Sequence, residues 1–223
     1  YFKIEGLGFD DSNSSSRKIK LDYIKMPINE NSFCRVGLWE YWNEKGILQS
    51  KTEYSPYTNK PVGKHESFFP SGKIKTTGYY SKDSKQTGIW KYYYENGILA
   101  EERLYENGEL NGLNTNYFEN GKIKEKTSFI NNKVEGIREY YHPNGKLLGK
   151  ETYQNHNITN YGDFFDENGS PILQSGTGYI IHYNDKGIIT YKGNYVNQQK
   201  EGLSEWFYDN SKLEESFNYK KGI

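Results

Sequence analysis

The sequence predicts an all-β chain, an elongated, twisted antiparallel meander built as a rod of about eight β-hairpins of roughly 24 residues each. The first observation behind this is a ten-residue phrase: Gly, a spacer, often Trp, an aromatic pair, two polar residues, Asn or Lys, and Gly. It begins at Gly37, Gly63, Gly88, Gly112, Gly136, Asn160, Gly178 and Gly202, so the starts stand 26, 25, 24, 24, 24, 18 and 24 residues apart. A period of that length means one supersecondary unit copied in series. The second observation is the Asn-Gly pair at 96–97, 120–121, 144–145 and 168–169, between two strand-like runs. Asn-Gly accepts the positive φ angles of a tight hairpin turn. The third is that no window of useful length carries a 3.6-residue apolar period, so helices are expected to be minor or absent.

Residues 1–36 read as a degenerate N-terminal capping repeat. Gly8 and Ile19 keep the 11-residue separation of Gly63 and Ile74, but the turn is the polar run DDSNSSSR at 10–17. Residues 37–223 read as one continuous hairpin array. The fifth residue after each repeat's start is aromatic: Trp42, Phe68, Tyr93, Tyr117, Tyr141, Phe165, Tyr183 and Phe207. Past the second Gly come Leu48, Ile74, Leu99, Ile123, Leu147, Ile189 and Leu213, then Tyr54, Tyr80, Tyr105, Phe129, Tyr153, Tyr195 and Tyr219. Even separations put side chains on one face of a strand, so these rows are expected to form the repeat core. A polar loop of six to eight residues is expected to lead into the next Gly.

One hairpin cannot stand alone. Ordering its backbone costs about 1–2 kcal/mol per residue, and three buried ring-sized side chains return roughly 1.5–3 kcal/mol each. Stacked neighbours must supply the rest. The 18-residue interval between Asn160 and Gly178 drops the polar loop and contains Pro171, which marks a bend, bulge or tight connection. The closing residues 218–223 read as a connection opening toward a further repeat, which leaves end-to-end self-association open.

Composition narrows the classes. The 223 residues include 22 Tyr, 11 Phe and 4 Trp, too many rings for a disordered chain, so the core is expected to be aromatic. Lys plus Arg and Asp plus Glu both total 29. A neutral chain has no global field to draw it onto nucleic acid or an anionic membrane. The basic run at 17–25 reads as a solvated strand face. Cys34 stands alone, so no intrachain disulfide or cysteine metal site is expected. No stretch has the apolar length of a membrane helix. The chain begins at Tyr1 rather than Met, so any preceding signal or anchor lies outside the sequence. Heavy use of Lys, Asn, Ile and Tyr with one Ala, Ala100, suggests an AT-rich coding sequence and a bacterial source.

Catalytic chemistry finds little support. His65, His142, His156 and His182 lie in no nucleophile motif and at no metal-ligand spacing. Glu40, Glu66, Glu139, Asp163 and Glu205 recur at one repeat position and are expected to bond neighbouring backbone or Tyr hydroxyls rather than to catalyse. No catalytic residue, metal or cofactor is implied. Binding is better served by the alternate strand positions: Trp39, Tyr41, Trp90, Tyr92, Tyr94, Arg138, Tyr140, Phe164 and Trp206. These are expected to point away from the fifth-position aromatics, and Trp, Tyr and Arg are the residue types enriched at hot spots. A ribbon twisted enough to bury both sets is the competing expectation.

The phrase Gly88, Trp90, Tyr92, Tyr93, Asn96, Gly97 and Leu99 resembles the MORN repeat, and more closely its bacterial variant in the YwqK-family antitoxins. The resemblance runs from about Gly37 to Tyr219, with His65, Asn114 and Arg138 standing where the motif has Trp. It implies a hairpin-repeat rod and a role in protein–protein contact, in some members with a toxin encoded nearby. The leading expectation is therefore a non-enzymatic protein-binding module, an antitoxin or immunity protein, which would place it in the bacterial cytoplasm. The alternative is an exported or cell-envelope protein recognising glycan or surface ligands through exposed aromatics.

Overall fold

A computed structural model describes residues 37–223 and, before them, the backbone of residues 7–8 and 19–20. The turn expected at 10–17, Cys34 and all of the basic run but the backbone of Ile19–Lys20 lie outside the described residues. All regular structure described is β-strand, and its pairing is antiparallel from hairpin to hairpin. Two compact bodies divide the chain: Tyr1–Gly97 with Leu104–Glu109, and Ile98–Arg103 with Leu110–Ile223.

In the first body β1 (Leu7–Gly8) pairs with β2 (Ile19–Lys20). Then β3 (Gly37–Trp42), β4 (Leu48–Tyr54), β5 (Pro61–Phe68), β6 (Ile74–Tyr80) and β7 (Gln86–Tyr93) each pair with the next. The strands β8 (Leu99–Glu106) and β9 (Glu109–Leu110) are divided between the bodies. The second body continues as β10 (Gly112–Tyr117), β11 (Ile123–Ile130), β12 (Lys133–Tyr141), β13 (Leu147–Gln154) and β14 (Asn157–Phe165). It ends with β15 (Pro171–Gln174), β16 (Thr177–Tyr183), β17 (Ile189–Val196), β18 (Gln199–Phe207) and β19 (Leu213–Tyr219).

The turns differ from the expectation in an instructive way. At the Asn-Gly pairs only the glycine has positive φ, as at Gly97 (φ 93), and its N–H donates to Tyr94 C=O at 2.8 Å. That is a turn closed by a left-handed glycine, not a two-residue turn with both residues at positive φ. The latter geometry occurs between repeats, at Asn131-Asn132, Asn155-His156 and Asn197-Gln198, where a polar loop was expected. Ile130 pairs directly with Lys133 and Val196 with Gln199 across these turns. Longer connections remain only early, at 55–60 and 81–85.

The glycine-closed turn has a second consequence. In hairpin after hairpin the register shifts between the repeat's fourth and fifth residues after its start: Tyr41/Trp42, Ser67/Phe68, Asn116/Tyr117, Tyr140/Tyr141, Phe164/Phe165, His182/Tyr183 and Trp206/Phe207. Tyr140 pairs with Gly149 and Tyr141 with Leu147, so Leu148 is left without a partner. A bulge of one residue inverts the inside–outside alternation. The expected core row Trp42, Phe68, Tyr93, Tyr117, Tyr141, Phe165, Tyr183 and Phe207 is accordingly half-buried throughout. Trp39 and Trp90, expected to face outward, are 7% and 3% exposed, and Phe164 is fully buried.

Within the second body the meander coils. Flat, β10 and β16 would lie about 29 Å apart at the usual strand spacing. Instead Phe118 meets Tyr183 edge-on at 6.3 Å, and Glu119 N–H donates to Asp185 C=O at 2.8 Å. Lys124 Nζ reaches Asp185 Oδ1 at 2.5 Å. The shortened 18-residue interval is where the path tightens: β15 has four residues, set between turns closed by Gly169 and Gly176. The coil encloses a core of Leu148, Phe164, Leu173, Ile180, Ile181 and Tyr195.

Candidate functional site

Not all of that interior is apolar. Beside the core, β11, β12 and β13 turn Glu125, Thr127, Arg138, Tyr140, Glu151 and Tyr153 toward one another. Their positions follow from register, since Thr127 pairs with Arg138 and Arg138 with Glu151. The Arg138 guanidinium donates from Nε to Thr127 Oγ1 at 3.0 Å and from Nη1 to Tyr153 Oη at 3.2 Å, and it lies 3.3 Å from Glu125 Oε1. Tyr140 and Tyr153 both donate to Glu151 Oε2, at 2.7 and 2.8 Å. Thr127 donates to Glu125 Oε1 at 2.6 Å.

Burial and partners pull these groups in opposite directions. Glu151 is 3% exposed, and burial raises its pKa against the two tyrosine hydrogen bonds and Arg138, which act to lower it. Burial also pushes Tyr140 upward, with the charge of Glu151 adding to it. Tyr153 is pushed up to about 12 for the same two reasons. Burial works against the charge of Arg138, but Tyr140 and Glu125 outweigh it and its pKa is raised.

Glu125, Arg138 and Tyr140 of this network line a recess of about 320 Å³ together with Phe118, Lys124, His182 and Tyr183. The coil is what brings Phe118 to Tyr183. The His182 ring stacks on Tyr191 at 5.5 Å and lies 5.2 Å from Tyr140. Burial, then Arg138 and Lys124, lower its pKa to about 4, so the ring is neutral near pH 7.

The outer face of the second body is organised differently. In three of its repeats the residue after the first Gly turns away from the core and is apolar: Leu113, Ile137 and Leu203 are 51%, 53% and 44% exposed, whereas Tyr161 and Tyr179 at the same position pack against the core. Two residues on stands the recurring carboxylate. Glu139 pairs with Lys150 at 2.7 Å and accepts from Tyr141 Oη at 2.8 Å, and Asp163 accepts from Ser175 N–H at 3.2 Å. In the first body Glu40 pairs with Lys51 and Glu66 with Lys64. These carboxylates are structural partners on a solvated face.

The residues expected to bind thus separate. Trp39 packs edge-on to Tyr54 at 6.1 Å, with Tyr41 beside it. Trp90 stacks on His65 at 5.5 Å and donates from its indole to Tyr79 C=O at 3.1 Å, while Tyr92 and Tyr94 are half-buried. Trp206 is half-buried between Tyr191 and Phe217 under Lys200. Of that row only Arg138 and Tyr140 line the recess. The other histidines hold structure. His142 is fully buried, bonded to Tyr183 Oη and Phe165 C=O, and His156 Nδ1 accepts from Val134 N–H.

Sequence reasoning missed Glu125, Glu151 and His182 as companions of Arg138. The odd replacement of Trp by Arg at 138, two residues before Tyr140 and paired across the strand with Glu151, was the available signal. His182 carried none, being 44 residues further along.

Six segments, residues 35–55, 61–82, 86–107, 110–131, 134–155 and 200–221, match the family model described as MORN repeat variant, and together they cover more than half of the chain. The matches pass over the shortened interval. No curated protein matches the chain.

Proposed function

The chain belongs to the MORN repeat variant family, and from that premise we propose that it is a non-enzymatic protein-binding module whose partner is a toxin that it neutralises. MORN repeats are commonly protein- or lipid-binding modules and typically non-catalytic. The resemblance to YwqK-family antitoxins supplies the toxin as partner class. The observation that supports protein binding is that Leu113, Ile137 and Leu203 are apolar and about half exposed at one repeat position, with the Glu139–Lys150 pair beside Ile137. Apolar anchors inside a charged rim are the composition of a protein interface. A formal charge of +0 supports a protein over an anionic lipid surface. The glycan alternative relied on exposed aromatics; of those named for binding, Trp39 and Trp90 are interior and Tyr92, Tyr94 and Trp206 are half-buried.

The test is co-expression with the products of adjacent genes, followed by co-purification. A neighbour that is toxic alone, is neutralised by this chain and co-purifies with it is the expected result. Leu113→Asp with Ile137→Asp should keep the circular dichroism of the parent and lose the partner. If no neighbour is toxic and none co-purifies, the antitoxin reading fails.

A further inference from the structure

Beyond protein binding and independently of it, we propose that the recess of the second body binds a small, neutral, polyhydroxylated ligand, a single sugar ring or cyclic polyol. Arg138 uses Nε and Nη1 on Thr127, Tyr140 and Tyr153, which leaves Nη2 with no protein acceptor among the described residues. Glu125 receives Thr127 and Arg138 at Oε1, which leaves Oε2 with no protein donor there. The free donor and the free acceptor belong to two residues that both line the recess and form an ion pair of 3.3 Å. Adjacent hydroxyls of a polyol satisfy both at once, one accepting from the guanidinium and the other donating to the carboxylate.

Charge decides against an anion. Arg138 is matched by Glu125 and Lys124 by Asp185, so a carboxylate or phosphate entering the recess would meet Glu125 as well as Arg138. A neutral ligand meets no such repulsion. Phe118, Tyr183 and His182 also line the recess, and the neutral His182 ring offers one further donor and one acceptor. A volume of about 320 Å³ lies at the small end of ligand pockets, which selects one ring over a chain of them. The recess is also pre-organised, since Arg138 and Glu125 are each fixed by Thr127 before any ligand arrives.

The experiment is saturation-transfer NMR and calorimetry on the whole chain with glucose, galactose, N-acetylglucosamine and myo-inositol, with acetate and inorganic phosphate in parallel. At least one neutral probe should bind with a Kd of about 1 mM or tighter, and neither anion should. Glu125→Gln should weaken that probe about tenfold while the thermal midpoint stays within a few degrees. His182→Phe, which keeps an aromatic ring and removes the nitrogens, should weaken it several-fold and carries the test if Glu125→Gln fails to fold. Silence from all four neutral probes, binding of acetate or phosphate in their place, or affinity unchanged by both substitutions would overturn the proposal.

Discussion

The Phe164 ring lies flat on Gly149, its direct partner across β13 and β14, so closely that a Cβ on the glycine would stand 2.3 Å from ring carbons. Trp90 covers Gly78 in the first body in the same way, at 2.2 Å. A missing side chain on one strand is what lets a large ring on the next lie down and be buried. Gly149→Ala should therefore destabilise by about 1–3 kcal/mol through overpacking against backbone-anchored ring carbons. Urea denaturation measures it, and a change under about 0.5 kcal/mol would mean that the ring has room to move.

The last repeat breaks the turn rule. Ser211 holds φ 64 and donates its N–H to Tyr208 C=O, where the equivalent positions of the other repeats, such as Gly97 and Gly145, are glycine. A left-handed conformation costs a residue with a Cβ roughly 1 kcal/mol. Ser211→Gly should stabilise the chain by about 0.5–1 kcal/mol, seen as a higher denaturation midpoint at unchanged m-value.

Arg138 is the cation that offsets two carboxylates inside the second body, Glu125 and Glu151. Arg138→Met should cost about 3–5 kcal/mol, because it strands buried charge rather than because an ion pair is worth that much. Adding Glu151→Gln to Arg138→Met should recover part of the loss, since the stranded charge then goes with it. A double variant no more stable than the single one would show that packing of the guanidinium stem, not charge, sets the cost.

Acid sensitivity follows from His182. Its pKa is lowered to about 4 in the fold against an ordinary value near 6.5. Above that ordinary value both states are neutral and stability is full. As pH falls toward 4 the unfolded chain takes up the proton first, and roughly 2–3 kcal/mol is lost. Glu151 acts with the opposite sign, because its raised pKa makes the fold less stable as pH rises above the usual carboxylate range. The comparison of wild type with His182→Phe isolates the histidine: the variant should lose less stability between pH 6.5 and pH 4. Parallel curves would contradict the burial of that ring.

The candidate site was legible in the sequence only in part. Arg138 and Tyr140 stood out, because an Arg interrupts the Trp position and a Tyr follows two residues later. Their neighbours across the strand, Thr127 and Glu151, follow once register is known, and register depends on turn geometry. The bulge between Tyr140 and Tyr141 comes from the glycine-closed turn at Gly145. Counting even separations through that turn, as though the strands were regular, put Trp42 inside and Trp39 outside, whereas Trp39 is buried and Trp42 half-buried.

Period, hairpin and antiparallel direction are local properties, written within each 24-residue repeat by its glycines, aromatics and turn residues, and the sequence by itself determined them. Which face those aromatics take needed the paired register, because one unpartnered residue such as Leu148 inverts the alternation. The recess needed the coil of the second body, which sets Phe118 against Tyr183. No repeat encodes that contact. It accumulates from the twist of every strand between them, and only the tertiary structure decided it.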